Sequence, residues 1–242
     1  MKRRSAFGGA SYIDTGGTGS ALIFLHGTGC EASDWEPVIE RLPPSVRCVA
    51  LDFRGHGKSA VPTAPFALAD LAEDALRLAD LLGIEEFVLA GHSLGGMAAT
   101  AAARRSKRLR GLALFEGWTR LGAGGSAFDG ERFYGSLPKR AVAEIQRKSQ
   151  ETRRRFQPEI WRRFWNSVEA FDGYDILQSA EMPVLEAYGG MGRNASTREK
   201  LRVPPNPHIR WRWISGAGHY LPHERPAEVA EAAASVWRAA FG

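Results

Sequence analysis

The stretch FVLAGHSLG, residues 87–95, decides how the rest of the chain is organised. Its first four residues are apolar, include β-branched and aromatic side chains, and are followed by Gly91. A run of this length is too short for a helix, so it predicts a strand that is buried on both faces. The alanine-rich segment that runs from Gly95 to about residue 105 predicts a helix. The stretch therefore predicts a strand, a tight turn and a helix.

The turn between this strand and helix reads Gly91-His92-Ser93-Leu94-Gly95 and fits the pattern G-x-S-x-G. In a strand-turn-helix setting the serine backbone is strained and lifts the hydroxyl off the sheet. The two glycines are required because a Cβ atom at either place would collide with neighbouring backbone. The pattern also arises by chance, but the flanking strand and helix favour chemistry. Ser93 is therefore the predicted nucleophile.

Strands and helices alternate along most of the chain. Apolar runs predict further strands near residues 11–14, 21–25, 46–51, 111–115, 183–188 and 208–214, and helices are predicted near residues 34–42, 68–82 and 226–241. This alternation is typical of an α/β fold with a doubly wound, mostly parallel sheet. We predict a core formed by residues 1–117 and 173–242. A helical cap is predicted at residues 118–172, with helices near residues 140–148 and 159–168.

Composition limits the class of protein further. The 242 residues have room for one α/β domain with a modest insertion. Cys30 and Cys48 are too few for a disulfide scaffold or a zinc site, and they fit a reducing compartment. The first residues are basic, but residues 5–19 lack the apolar core of a secretory signal. No apolar stretch reaches the roughly 18 residues of a transmembrane span, so we expect a cytoplasmic protein.

Four motifs in this chain resemble those of the α/β-hydrolase superfamily. They are His26-Gly27-Thr28-Gly29 with Trp35 downstream, DFRGHGKS at residues 52–59, GHSLGG at residues 91–96, and Gly216-Ala217-Gly218-His219 followed by Glu224-Arg225-Pro226. Each motif alone is weak, but the four in the superfamily's order are specific, and the resemblance covers nearly the whole chain outside the insertion. The resemblance implies the superfamily's fold and a hydrolase whose nucleophile, acid and base follow each other in that order.

Ser93 needs a base within hydrogen-bond reach, because a serine hydroxyl is a poor nucleophile at neutral pH. His219 is the best of the six histidines for this role. It follows the last predicted strand in a glycine-rich loop, where the carboxyl ends of parallel strands meet the ligand crevice. His92 is expected to face away along the turn. His223 is the nearest alternative base.

Hydrolysis of an acyl group places negative charge on an oxygen, which needs preorganised hydrogen-bond donors. The backbone N–H of Leu94, beside Ser93 and at a helix N-terminus, is one predicted donor. The resemblance implies that the N–H of Thr28 is the other. A plain strand-to-loop turn would explain the glycines around Thr28 equally well, so this prediction depends on Ser93.

The position of the third catalytic residue departs from the commonest pattern of the superfamily. That pattern places an acid a few residues after the strand near 183–188, but this chain continues GGMGRN, with Gly192 at the expected position. An imidazole still needs a group that holds its tautomer and stabilises the imidazolium. The acid must therefore come from another part of the chain.

Glu116 is the predicted replacement, because it ends the strand that follows the nucleophile helix. The resemblance supports this position, since some members of the superfamily carry their acid there. Adjacent strands lie about 4.8 Å apart, so this strand end can reach the imidazole of His219. Asp172, Asp175 and Glu186 are the alternatives.

The insertion carries many aromatic residues, most of which pack against the core when taken singly. Together they predict an apolar substrate pocket that involves Trp118, Phe128, Tyr134, Trp161 and Trp165. Residues 139–163 hold nine lysines and arginines against three glutamates, whereas the whole chain has a net charge of +5. Such a helix face is usually only solvated, and the alternative is an anionic substrate or an acidic carrier protein. Nucleic acid is not expected, because no reader motif accompanies the charge.

These observations predict a serine hydrolase that cleaves a carboxylic ester or a lactone without a metal or other cofactor. A dehalogenase is disfavoured, because members of the superfamily with that activity use a carboxylate nucleophile where this chain has Ser93. The alternatives are a hydrolase-like receptor that binds a ligand with slow or no turnover, and an esterase that acts on an acyl group held by an acidic carrier protein. Neither the substrate nor the oligomeric state follows from the sequence.

Overall fold

The computed structural model describes residues 1–124, 130–193 and 199–242. Within these ranges, strands form a single eight-stranded sheet. In chain order the strands are Lys2–Ser5 (β1), Ser11–Asp14 (β2), Ala21–Leu25 (β3), Arg47–Asp52 (β4), Phe87–His92 (β5), Leu109–Phe115 (β6), Val184–Gly189 (β7) and Ile209–Ile214 (β8). Their order across the sheet is β1-β2-β4-β3-β5-β6-β7-β8. The strands β3 to β8 pair in parallel, whereas β1 and β2 pair antiparallel with their neighbours.

Helices connect and cover these strands. In chain order they are Glu36–Ile39 (α1), Leu68–Leu81 (α2), Leu94–Ala102 (α3), Leu121–Gly124 (α4), Gly130–Phe133 (α5), Lys139–Arg155 (α6), Pro158–Ala170 (α7), Tyr174–Gln178 (α8), Leu221–Glu224 (α9) and Pro226–Phe241 (α10). Short 3₁₀ helices cover Phe7–Gly9 and Ala32–Trp35.

Both faces of the sheet are packed against helices. One face contacts α2 and α3, through residues such as Leu71 and Met97. The opposite face contacts α1 and α10, through residues such as Val38 and Val229. The central strands are apolar along their whole length because both of their faces are buried. The structure confirms the α/β fold with a doubly wound, mostly parallel sheet.

The insertion between β6 and β7 is more helical than the sequence predicts. The two helices expected near residues 140–148 and 159–168 extend over Lys139–Arg155 and Pro158–Ala170. In α7, Ile160, Phe164 and Val168 are buried, and their spacing of four residues places them on one face of the helix. This apolar face packs in the same core cluster as α2 and α3. The insertion is thereby fixed to the face of the sheet that carries α3, the helix that follows Ser93.

Other elements differ from the sequence-based expectations near the N-terminus. The basic residues 2–5 form the edge strand β1, and the side chain of Arg3 donates a hydrogen bond of 2.5 Å to the buried carboxylate of Asp52. The helix expected at residues 34–42 is reduced to α1 and the 3₁₀ helix before it. Among the described residues, no helix has both the length and the apolar character that are needed to cross a bilayer.

Candidate active site

Ser93 lies in a strained turn between β5 and α3. Its backbone dihedrals are φ 54° and ψ −118°, a conformation that non-glycine residues rarely adopt. A Cβ atom on Gly91 would collide with the carbonyl oxygen of Gly95, and one on Gly95 would collide with that of Leu25. Larger residues at these two positions would therefore force the turn open. The turn leaves Ser93 partly exposed at the carboxyl end of β5.

The end of β6 is tied directly to this turn. The register pairs His92 of β5 with Phe115 of β6, and the N–H of Ser93 donates to the carbonyl oxygen of Phe115 at 2.9 Å. Glu116 is the next residue, with a φ of 54° that turns the chain out of the strand. Strand pairing therefore places Glu116 beside the turn that holds Ser93.

His219 follows β8 and lies close behind Glu116. Its Nδ1 atom is 3.4 Å from Oε2 of Glu116, and both side chains are almost completely buried. The loop that carries His219 is held by Glu224, whose carboxylate accepts a hydrogen bond of 3.0 Å from the N–H of Gly218. The same carboxylate accepts a bond of 2.9 Å from the N–H of Ser136. This loop is thereby fastened to the insertion.

The carboxylate of Glu116 is fully buried and accepts several hydrogen bonds. The N–H of Gly189 donates to Oε1 at 2.7 Å, and the indole N–H of Trp118 donates to Oε2 at 3.3 Å. Arg193 donates to both oxygens, at 2.5 and 3.2 Å. Burial alone would raise the pKa of Glu116, but the bond to His219 and the charge of Arg193 outweigh it and hold this pKa below its usual range. Glu116 is therefore an anion in the folded protein at neutral pH.

The three alternative acids, Asp172, Asp175 and Glu186, have surroundings that differ from those of Glu116. Asp172 and Asp175 are exposed. Glu186 is fully buried in β7, beside Tyr188. Burial raises the pKa of Glu186 to about 8, so this residue is neutral at pH 7. Glu116 is the candidate acid that faces His219, with Oε2 at 3.4 Å from Nδ1.

His223, the alternative base, contacts Asp34. The Nε2 atom of His223 is 3.3 Å from Oδ1 of Asp34, which also accepts a hydrogen bond of 2.8 Å from Lys148. These contacts direct His223 toward the loop after β3. The structure therefore brings His219, and not His223, against Glu116.

A cavity of about 320 Å³ opens in front of Ser93 and His219. Three of the predicted pocket residues, Trp118, Tyr134 and Trp165, line it. Trp161 does not line this cavity. It packs against Phe156, with ring centroids 5.0 Å apart, and lines an adjoining groove instead. Phe128, the fifth predicted pocket residue, lies outside the described residues.

Thr28 and Leu94, the predicted oxyanion donors, also line the cavity. Leu94 is the first residue of α3, so its N–H has no partner within the helix. The loop after β3 comes close to the turn, because a Cβ atom on Gly27 would lie 3.2 Å from Cβ of Ser93 and 2.9 Å from the His92 ring. The next residue after Gly27 is Thr28. Both backbone segments therefore border the space above Ser93.

Three functional neighbours were missed by the sequence analysis. His92 was expected to face away, but its Nε2 atom lies 2.8 Å from the backbone oxygen of His219, and its ring lines the cavity. Phe133 stacks on the His219 ring, and Arg193 binds Glu116. A signal for Arg193 was present, since it is the first charged residue after β7, in the loop that lacks the usual acid. No sequence signal distinguished Phe133 from the other aromatic residues of the insertion.

Comparisons with known proteins agree with the fold. A sequence model of the Alpha/beta hydrolase family matches residues 22–232. A putative carbamate hydrolase, RutD, of Azorhizobium caulinodans is 31% identical over 110 residues, which are 45% of this chain and 42% of that protein. A haloalkane dehalogenase of Mesorhizobium japonicum is 33% identical over 107 residues, or 44% of this chain and 35% of that protein. The matched region thus spans less than half the length of these curated relatives.

Likeness to solved structures extends over the whole chain. A variant of the N-acyl homoserine lactonase AidH, complexed with N-hexanoyl homoserine lactone, superimposes with a TM-score of 0.78. The two chains are 20% identical, and the match covers 99% of this chain and 98% of the other. At this identity the likeness concerns the fold alone.

Proposed function

Because the chain belongs to the α/β hydrolase family, we propose that it is a serine hydrolase that cleaves a carboxylic ester or a lactone. The observation that carries this proposal is the arrangement around the 320 Å³ cavity: Ser93 and His219 line it, and Glu116 lies 3.4 Å from the far nitrogen of His219. A nucleophile, a base and an acid that orients the base are the parts that acyl transfer from a serine requires.

In the first half of the proposed reaction, Nε2 of His219 accepts the hydroxyl proton of Ser93 as Oγ attacks the carbonyl carbon. The backbone N–H groups of Thr28 and Leu94 stabilise the negative charge on the carbonyl oxygen. Glu116 holds the imidazole through Nδ1 and stabilises the imidazolium. The imidazolium then gives its proton to the leaving alkoxide, and an acyl group remains on Ser93.

In the second half, His219 takes a proton from water, and the resulting hydroxide attacks the acyl carbon. The bond to Oγ of Ser93 breaks, and the proton on His219 returns to that oxygen. The products are a carboxylic acid and an alcohol, which belong to one molecule if the substrate is a lactone.

The shape and lining of the cavity support a small substrate with an apolar part. Its volume of about 320 Å³ is at the lower end of the range for ligand pockets. Its lining includes the apolar side chains of Met97, Leu121, Trp165 and Val168 as well as Ser93 and His219. Short acyl esters and small lactones, including an acyl homoserine lactone with a short chain, are therefore the first substrates to test.

The proposed function is tested by the time course of p-nitrophenol release from a short p-nitrophenyl ester. We expect a burst equal to the enzyme concentration or a steady turnover, and we expect a serine-reactive phosphonate to abolish both. Ser93→Ala is the matched control, and it should release no burst and bind no phosphonate. A protein that binds the ester but releases no p-nitrophenol above the rate of the Ser93→Ala variant would instead be a hydrolase-like receptor.

A further inference from the structure

Arg193 is the most deeply buried cation near the candidate site. Its side chain is 3% exposed and pairs with the fully buried carboxylate of Glu116. The Nη1 atom donates to Oε1 at 2.5 Å and to the carbonyl oxygen of Gly189 at 3.2 Å, and Nη2 donates to Oε2 at 3.2 Å. The proposed reaction steps do not use this residue. A buried arginine against the orienting acid therefore needs its own explanation.

The contact of Glu116 with Arg193 is closer than its contact with His219. The guanidinium binds both carboxylate oxygens, whereas Nδ1 of His219 reaches only Oε2, at 3.4 Å. A bidentate pair of this kind fixes the plane of the carboxylate as well as its position. Arg193 therefore both orients Glu116 and compensates its charge.

We propose that Arg193 is a positioning residue that fixes Glu116 and, by compensating its charge, extends the proposed reaction to more acidic pH. This inference rests on the proposed function, in which His219 is the general base.

Charge in the buried site explains the effect. With Arg193 present, the guanidinium offsets part of the charge of Glu116, so the carboxylate stabilises a proton on His219 less strongly. Without Arg193, the same proton would be compensated by the anion of Glu116. A like charge nearby disfavours the protonated form of an imidazole, and an opposite charge favours it. Arg193 thus opposes the effect that Glu116 alone would have on His219.

The other titratable groups around these residues do not supply this charge. Burial raises the pKa of Glu186 to about 8 and the pKa of Tyr188 well above its usual value, so both are neutral in the acidic range. Burial lowers the pKa of His92 well below its usual value and raises that of Tyr220. Arg132 is a further cation on the insertion side, and its side chain lies 2.7 Å from where a Cβ atom of Gly192 would stand. Of these groups, Arg193 is the one whose cation is bound to Glu116.

The test compares variants that separate charge from hydrogen bonding. Arg193→Gln removes the charge but keeps an amide donor, and Arg193→Lys keeps the charge but loses the bidentate geometry. Arg210→Gln, at an exposed position on β8, is the control with the same change in net charge. The measurements are kcat/KM for a p-nitrophenyl ester and the rate at which a phosphonate labels Ser93, each as a function of pH.

On the acid side of the pH profile, kcat/KM falls as pH decreases, and we call this fall the acid limb. We expect its midpoint to move to higher pH by about one pH unit in Arg193→Gln. It should stay within a few tenths of a unit of the wild type in Arg193→Lys and Arg210→Gln. If Arg193→Gln does not fold, it is replaced by a double variant that also carries Glu186→Gln, which removes the neighbouring carboxyl. The double variant is then compared with the single variant Glu186→Gln.

An acid limb that stays in place in the charge-free variant, or moves to lower pH, would show that Arg193 only supports the fold. If that result is found while turnover still depends on Ser93, it overturns this inference and leaves the proposed function standing. A wild-type protein that neither reacts with the phosphonate nor releases p-nitrophenol would overturn the proposed function and this inference with it.

Discussion

The ring of Phe133 lies flat against the imidazole of His219, with ring centroids 4.6 Å apart and an angle of 14° between the planes. The backbone oxygen of Phe133 also accepts a hydrogen bond of 2.9 Å from the N–H of His219. The insertion therefore contacts the candidate base through both a side chain and the backbone. An aromatic face attracts a cation, so this contact becomes more favourable when the imidazole is protonated.

Phe133→Leu should lower kcat for a short ester by about threefold to thirtyfold, because the lost ring-face attraction to the imidazolium is worth about 0.5–2 kcal/mol. The backbone bond to His219 does not depend on the side chain. Tyr134→Phe, which keeps an aromatic ring in the cavity, is the control. Unchanged kcat in Phe133→Leu would mean that the stacked ring only fills space.

Glu116→Gln keeps the size of the side chain and a hydrogen-bond acceptor but removes the charge that faces His219. We expect kcat to fall by about 10⁴-fold, which is the typical loss when the acid of a triad is replaced by its amide. Asp175→Asn should change kcat little, because Asp175 is exposed on α8. Near-normal turnover in Glu116→Gln, with a large loss in a variant of Asp172, Asp175 or Glu186, would move the acid to that residue.

The surroundings of Glu116 illustrate what the sequence can and cannot predict. Glu116 could be located because strand order and pairing place the end of β6 beside the end of β5, whatever the loops do. For Arg193 the sequence shows only its place in the loop after β7, because its contact with Glu116 depends on how that loop folds back over the sheet. Gly192, where an acid was expected from the resemblance, has a φ of 68° and leaves little room beside Arg132. A glycine suits that left-handed position better than an aspartate.

The residues that line the cavity were harder to predict than the position of Glu116. Trp161 and Trp165 are one helical turn apart, and the sequence cannot say which of them meets the cavity. In the structure Trp165 lines it, while Trp161 packs on Phe156 and faces the adjoining groove. Burial inside an insertion depends on how its helices dock, which local sequence patterns do not determine.

Glu186 should make the folded protein less stable as pH rises. Burial raises its pKa from 4.5 to about 8, so the folded state holds a proton that the unfolded state releases. Between pH 4.5 and about pH 8, this residue alone should lower the free energy of unfolding by about 1 kcal/mol per pH unit. Below pH 4.5 it should add no pH dependence, because both states are protonated.

Denaturant unfolding of Glu186→Gln across this pH range checks that expectation. The amide cannot ionise, so stability relative to the wild type should increase steadily with pH up to about 8. Glu181→Gln, at an exposed position, is the control and should show no such trend. A constant difference between Glu186→Gln and the wild type would show that Glu186 is ionised throughout.

Charge on the insertion should affect anionic substrates selectively. Many of its cations already have carboxylate partners, such as Arg147 with Glu144 and Arg163 with Glu159. Arg153 is exposed and lines the groove that shares Ser149 and Trp165 with the cavity. Within the described residues, Arg153 forms no ion pair.

Arg153→Gln should lower kcat/KM about twofold to fivefold for an ester that carries a distal carboxylate, as expected for one exposed ion pair. The variant should also weaken the loss of activity with added salt, and a neutral ester should be unaffected. Arg163→Gln, whose cation faces Glu159 and does not line the groove, is the matched control. An equal salt response of the two esters in the wild type would identify the insertion as an ordinary solvated surface.

The central claim is that the reaction passes through an acyl group on Ser93, and the mass of the intact protein tests it most directly. The protein is mixed with a p-nitrophenyl ester, quenched in acid within the burst and weighed by mass spectrometry, and the adduct is located by peptide mapping. We predict an increase equal to the acyl group, on the peptide that contains Ser93, and no increase for Ser93→Ala. Turnover by Ser93→Ala at the wild-type rate, or an adduct on a different residue, would contradict the account.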